Sequence, residues 1–159
     1  MKNGRLTIQR PNGELSPETT KSAFASSTTA RFCRVHNCSE PWTMFSCMEL
    51  QVRDDAFSGT IGFNGENLEF IILASRRSEF GLALSELSRE KEQARQGFHN
   101  EWLSRQLAGQ VATQSHGPDT PVWTWTFPWG RIVSGWDVKN GTAELVIRYR
   151  QDGQPIKPI

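Results

Sequence analysis

Short stretches of alternating apolar and polar residues dominate the chain, interrupted by one long segment whose apolar positions recur every three or four residues. Arg5-Leu6-Thr7-Ile8-Gln9 alternates and predicts a short strand. Pro11-Asn12-Gly13 predicts a turn, since proline presets φ while asparagine and glycine tolerate positive φ, and Glu14-Leu15 predicts the stub of a returning strand. Ser16-Pro17-Glu18 carries helix-start chemistry: a capping hydroxyl, a proline suited to the first turn and a carboxylate for the positive end of the dipole. A short helix is expected over 16–29, ended by the poor helix formers Ser26-Ser27-Thr28-Thr29.

Strands are expected throughout 30–74. Arg31 to His36 is the first run, with Phe32, Arg34 and His36 on one parity and Cys33 and Val35 on the other. Trp42 to Val52 is the second, placing Trp42, Met44, Met48, Leu50 and Val52 on one face. Arg53-Asp54-Asp55 turns the chain into a third run, Ala56 to Phe63, and Asn64-Gly65 is a hairpin signal. Leu68 to Leu73 is the fourth run, and its continuous apolar stretch predicts a central strand covered on both faces.

Within 80–109 the spacing predicts one long helix, Ser85 to Leu107. Leu84, Leu87, Lys91, Ala94, Phe98 and Trp102 form its inward stripe, widened by Leu103 and Leu107, with Arg89, Glu92, Arg95 and Gln96 on the opposite, solvent face. Gly109 should stop it. The polar stretch Gln110 to Pro121 reads as a loop. The region 122–150 reads as a three-stranded meander: Val122 to Trp129, Ile132 to Val138, and Ala143 to Tyr149 after the Lys139-Asn140-Gly141 turn. A polar tail, 151–159, follows. The expected fold is α+β: an antiparallel sheet of about six or seven strands, one long helix on one face and a short N-terminal helix, in a single domain over 1–159.

Composition narrows the function classes. Eighteen Lys+Arg against 17 Asp+Glu give a net charge of +1, so the chain lacks the charge footprint of a general nucleic-acid binder, and no nucleic-acid partner is expected. At 36% hydrophobic and 22% charged it is not of disordered composition. No run reaches the roughly 20 apolar residues of a membrane helix, and no secretory apolar core follows Met1 to Arg5, which points to a cytoplasmic protein without a membrane partner. Three cysteines, an odd number, argue against a disulfide framework and for reduced thiols.

Candidate chemistry is sparse. Cys33, His36, Cys38 and Cys47 have ligand-type spacings, but Cys33 and His36 fall on opposite strand parities, so no metal site is expected. His99 and Glu101 stand two apart on a helix and cannot form an acid–base pair. No glycine-rich phosphate loop or nucleophile elbow is present, and no catalytic residue or cofactor is assigned. The prominent feature is the alternation of Trp123, Trp125, Phe127 and Trp129 along one side of one strand. Packing against the long helix is the favoured reading. Whatever remains uncovered would be a binding face, because tryptophan is enriched at interface hot spots.

A rhythm of elements also carries a resemblance. An N-terminal hairpin leads into Leu15-Ser16-Pro17-Glu18-Thr19-Thr20 and Phe24-Ala25-Ser26-Ser27; Trp42 opens a strand; Asn64-Gly65 and Leu68-Glu69-Phe70 make a hairpin. His99-Asn100-Glu101-Trp102-Leu103 sits on the helix, and Trp129-Gly130 precedes strands ending in Ile147-Arg148-Tyr149. This resembles small bacterial orphan proteins of the immunity-protein and mobile integron-cassette type. The resemblance implies a binding role without chemistry of its own and carries over no functional residue. The leading expectation is therefore a small bacterial protein-binding module, in its specific form an immunity-like inhibitor, using Trp123, Trp125 and Trp129. The alternatives are a ligand-binding or catalytic pocket between long helix and sheet, built from His99, Trp102, Trp125 and Arg131, and a homodimeric interaction protein.

Overall fold

The alternating stretches pair as antiparallel strands, and their order is set by short hairpins. In the computed structural model, which describes residues 1, 3–37, 39–81, 86, 88–116, 121–137 and 141–149, β1 (Leu6–Ile8) and β2 (Gly13–Leu15) form a separate hairpin. The remaining strands are β3 (Cys33–Asn37), β4 (Trp42–Val52), β5 (Asp55–Asn64), β6 (Asn67–Ser75), β7 (Thr113–His116), β8 (Pro121–Phe127), β9 (Gly130–Asp137) and β10 (Thr142–Tyr149). They make one eight-stranded sheet in the order β3-β4-β5-β6-β10-β9-β8-β7. The strand count exceeds the expected six or seven. Thr113–His116, read from sequence as loop, pairs with β8 at the sheet's edge. It is polar on both faces, so it carries no alternation to announce it. Lys139 and Asn140, central to the expected second hairpin, and Val138 lie outside the described residues, as do Leu84, Leu87 and the tail.

The short N-terminal helix, α1, is one turn, Lys21–Ala25, and begins later than Ser16-Pro17 suggests. The backbone around Ser16 is spent on a turn: the Thr19 N–H donates to Ser16 O at 2.9 Å and the Ser16 N–H to Thr19 Oγ1 at 2.9 Å. Thr20 then caps the helix, its Oγ1 accepting from the Ala23 N–H at 3.1 Å. β4 contains a register shift between Cys47 and Leu50. Trp42 and Met44 therefore face away from the core while Leu50 and Val52 face into it, so the expected single face is split by the bulge.

The long helix, α2 (Arg89–Gln106), is capped by Ser88, whose Oγ accepts from the Lys91 N–H at 3.3 Å. Its buried face is not the apolar stripe expected. Ala94 is exposed and Phe98 half-buried, whereas Glu92, Arg95, Gln96, His99, Trp102 and Leu103 are buried. Charge pairing permits this: Arg95 Nη1 donates to both Glu92 oxygens at 2.6 and 2.7 Å, and Arg95 Nη2 donates to Phe80 O at 3.1 Å and Gly81 O at 2.9 Å. Glu92 also accepts from the Ala143 N–H of β10 at 2.7 Å. Buried charges persist where pairing and hydrogen bonds offset desolvation; here the Arg95 Nε is left without a partner among the described residues.

α1, the β1–β2 hairpin and α2 share one core with the inward side chains of β4, β5, β6, β10, β9 and β8. β6 is central, as expected, but the described elements cover only one of its faces: Ile71, Leu73 and Ser75 are buried, while Phe70, Ile72 and Ala74 on the other face are half-buried. Cys33 and Cys47 are directly opposite on β3 and β4 and form a disulfide. That corrects the expectation of reduced thiols: an odd count accommodates one bond, and strand pairing brings residues 14 apart into contact. No helix among the described residues is long and apolar enough to cross a membrane.

Candidate functional site

Strand alternation aims Trp123, Trp125 and Phe127 at the helix side of the sheet, and the helix is too short to cover all of them. Trp125 is 3% exposed and belongs to the core, while Trp123 stays half-buried. α2 ends at Gln106 with Leu107 as its C-cap, and Gly109, at φ 85°, turns the chain back toward β7. The return segment spans the gap between the end of α2 and β8. Between them lies a wide-mouthed cleft of about 650 Å3. Trp123, Trp125, Val111 and Ala112 give it an apolar floor, and Asn100, Glu101, Ser104 and Arg105 give it a polar helix wall. This size and mixture fit a binding cleft. Val111 is 91% exposed. Asn100 Oδ1 is buried with no hydrogen-bond partner among the described residues.

Trp129 is elsewhere. It stacks on Phe127 at 5.0 Å, meets Tyr149 at 5.6 Å and lies close against Gly4. It seals the far end of the sheet rather than lining the cleft. Of the three tryptophans singled out in the sequence, the structure thus groups two.

The expected pocket of His99, Trp102, Trp125 and Arg131 is not assembled. His99 is fully buried; its Nε2 accepts the Ser75 N–H at 3.1 Å and its ring packs near Phe57. Burial, with Arg95 nearby, lowers its pKa to about 3, so it is a neutral core imidazole at pH 7. Trp102 packs edge-on against Phe57 at 5.1 Å and backs a separate cavity of about 210 Å3 near Arg5 and Arg53. Arg131 lies on the opposite face of the sheet, beside Arg148. Among the described residues no group of three His, Cys, Asp or Glu is placed to hold a metal. The Cys33 and Cys47 sulfurs are taken up by their bond, and Cys38 lies outside the described residues.

Sequence reasoning missed Asn100, Ser104, Arg105 and Val111. A signal existed: Asn100, Glu101, Ser104 and Arg105 are spaced as neighbours on one helix edge, immediately beside the buried His99–Trp102–Leu103 stripe.

Fold and cleft together define an α+β protein whose tryptophan-bearing strand is incompletely covered by its helix. Comparison with models of known protein families, with curated proteins and with solved structures finds no match.

Proposed function

We propose that this chain is a binding module without chemistry of its own, and that it seats an apolar or aromatic side chain of a partner protein in the Trp123–Trp125 cleft. The observation that carries this reading is the cleft itself: an aromatic floor, an exposed apolar lip at Val111, and charges of both signs, Glu101 and Arg105, on its wall. Interface anchors take this form, a buried apolar contact inside a polar rim. The wide mouth favours a chain segment over a small enclosed ligand. An immunity-like inhibitor is the specific form of the reading, since occluding a partner's surface needs a preformed cleft and no reacting group.

Site-specific photo-crosslinking in cells tests it. With p-benzoylphenylalanine at position 111, one adduct of defined mass should form. It should be absent when the probe sits at exposed Glu90 and lost in Trp123→Ala protein of unchanged thermal midpoint. An adduct equally strong from position 90, or undiminished by Trp123→Ala, refutes the site. An adduct at twice the chain's mass replaces the partner with a second copy.

A further inference from the structure

The cavity that Trp102 backs lies where three elements meet. β1 lines one side, the β4–β5 turn lines the other, and α2 supplies Trp102. Backbone bonds tie the two sides together: the Gln9 N–H donates to Gln51 O at 2.8 Å, and the Gln51 N–H donates to Arg10 O at 2.7 Å. Leu6, Val52 and Trp102, each no more than 2% exposed, make the interior apolar. Gln9, Arg5 and Arg53 also line the cavity but are exposed, so they form its mouth. No carboxylate is among the described residues that line it.

The two arginines differ in how they are held. Arg5 Nη1 donates to Glu14 at 3.0 Å in an exposed pair, which leaves the other N–H groups of the fork for a ligand. Arg53 has no ion pair among the described residues. Val52 pairs with Asp55, so Arg53 and Asp54 make a two-residue turn. Arg53 takes φ 54° there, a left-handed conformation that glycine or asparagine adopts more readily. It is the one non-glycine residue with such a φ among the described residues. Gln51 Nε2 donates to Arg53 O at 3.0 Å and helps to fix the turn. A long cationic side chain thus stands where the backbone disfavours it, and that side chain lines the cavity. Residues in disfavoured backbone conformations cluster at ligand clamps.

We infer that this cavity binds a small organic monocarboxylate, its apolar body against Leu6, Val52 and Trp102 and its carboxylate on the Arg5 and Arg53 guanidiniums. The volume of about 210 Å3 falls below the roughly 300–1,000 Å3 of sites for drug-sized ligands, which restricts the ligand to about ten heavy atoms. A guanidinium fork matches a planar carboxylate with two parallel bonds. Inorganic phosphate would meet the same cations but leave the apolar interior unfilled. The site shares no lining residue with the Trp123–Trp125 cleft and does not depend on the role proposed there.

The test is a titration of the isotope-labelled full chain with benzoate and with isovalerate, read by nuclear magnetic resonance. At least one should shift the Trp102 indole N–H and the Leu6 and Val52 amides, saturating with a dissociation constant of about 1 mM or below. Benzyl alcohol, similar in size to benzoate and uncharged, should bind about tenfold more weakly, and phosphate should leave those resonances unmoved. Arg53→Gly should lower affinity about tenfold while raising the thermal midpoint by about 2–4 °C, because glycine accepts the turn's φ. An arginine with a merely structural role would move the midpoint alone. Arg5→Gln, at an exposed position outside the turn, should weaken binding about threefold or more with the fold unaltered. No saturable shift with either acid at about 10 mM overturns the inference. So do shifts confined to Trp123 and Trp125, equal affinity for benzyl alcohol, displacement by phosphate, or unchanged binding in both arginine variants.

Discussion

Replacing Glu92 by glutamine is the sharpest test of how α2 is held. Glutamine keeps an oxygen to accept the Ala143 N–H, so the strand contact survives. What disappears is the negative charge that receives both Arg95 Nη1 bonds, at 2.6 and 2.7 Å. Arg95, with a side chain only 6% exposed, is left with two backbone carbonyls and no anion. Leaving one partner of a buried pair uncompensated costs about 3–5 kcal/mol. Against a total stability of roughly 5–15 kcal/mol that is a large fraction. For a chain of this size it lowers the thermal midpoint by about 10 °C. Urea unfolding followed by tryptophan fluorescence measures it. Arg95→Gln should cost a similar amount, because it strands the carboxylate. Glu92→Gln with Arg95→Gln should cost less than the sum of the singles by about 2 kcal/mol, since no buried charge remains. Additivity within about 0.5 kcal/mol, or a Glu92→Gln loss below about 1 kcal/mol, would refute the claim that this pair clamps the helix to β10.

His99 gives a pH signature. The unfolded imidazole takes up its proton near 6.5, whereas the folded one stays neutral down to about 3. Between those values the unfolded state holds the extra proton, so stability falls as pH falls, by about 1.4 kcal/mol per unit and roughly 2 kcal/mol by pH 5. His99→Gln should flatten that slope in urea melts at pH 7.5, 6 and 5; an unchanged slope would show that the histidine is not its source. Cys33→Ser with Cys47→Ser opens a loop closed by residues 14 apart and should cost about 3 kcal/mol, read as a lower urea midpoint that matches wild type under reductant. Gly130→Ala places a Cβ against the Arg148 carbonyl of the paired strand and should cost about 3 kcal/mol or more; a melt within 1 °C of wild type would contradict the close approach.

Much of the fold was legible because antiparallel strands with one covered face advertise themselves by alternation. Trp42 to Val52 matches β4, and the turns at Pro11-Asn12-Gly13 and Asn64-Gly65 close the hairpins they announce. Three features were not legible, each for a physical reason. β7 is a polar edge strand, and an edge needs no apolar face to pair. The α2 stripe was rotated because a hydrophobicity pattern scores Glu92 and Arg95 as solvent-seeking, whereas mutual charge satisfaction buries them. The disulfide depends on cross-strand register, which spacing alone does not reveal. The candidate site was half legible. The alternation of Trp123 and Trp125 pointed to the cleft's floor, but which tryptophans remain uncovered depends on where α2 stops.

The sheet's two edges are not equivalent, and this has a consequence for how the protein opens. β3 is covalently strapped to its neighbour, while β7 is four residues long and pairs with β8 through strand bonds. Amide exchange should therefore spread inward from the β7 side, with β8 following, while β3 stays closed until global unfolding. An unstrapped edge is also where another chain can pair. The bond holds β3 to β4 without covering its outer backbone, so both edges can pair; under oxidising conditions β7 is the edge that opens first, and in a reducing compartment β3 loses its strap and opens more readily too.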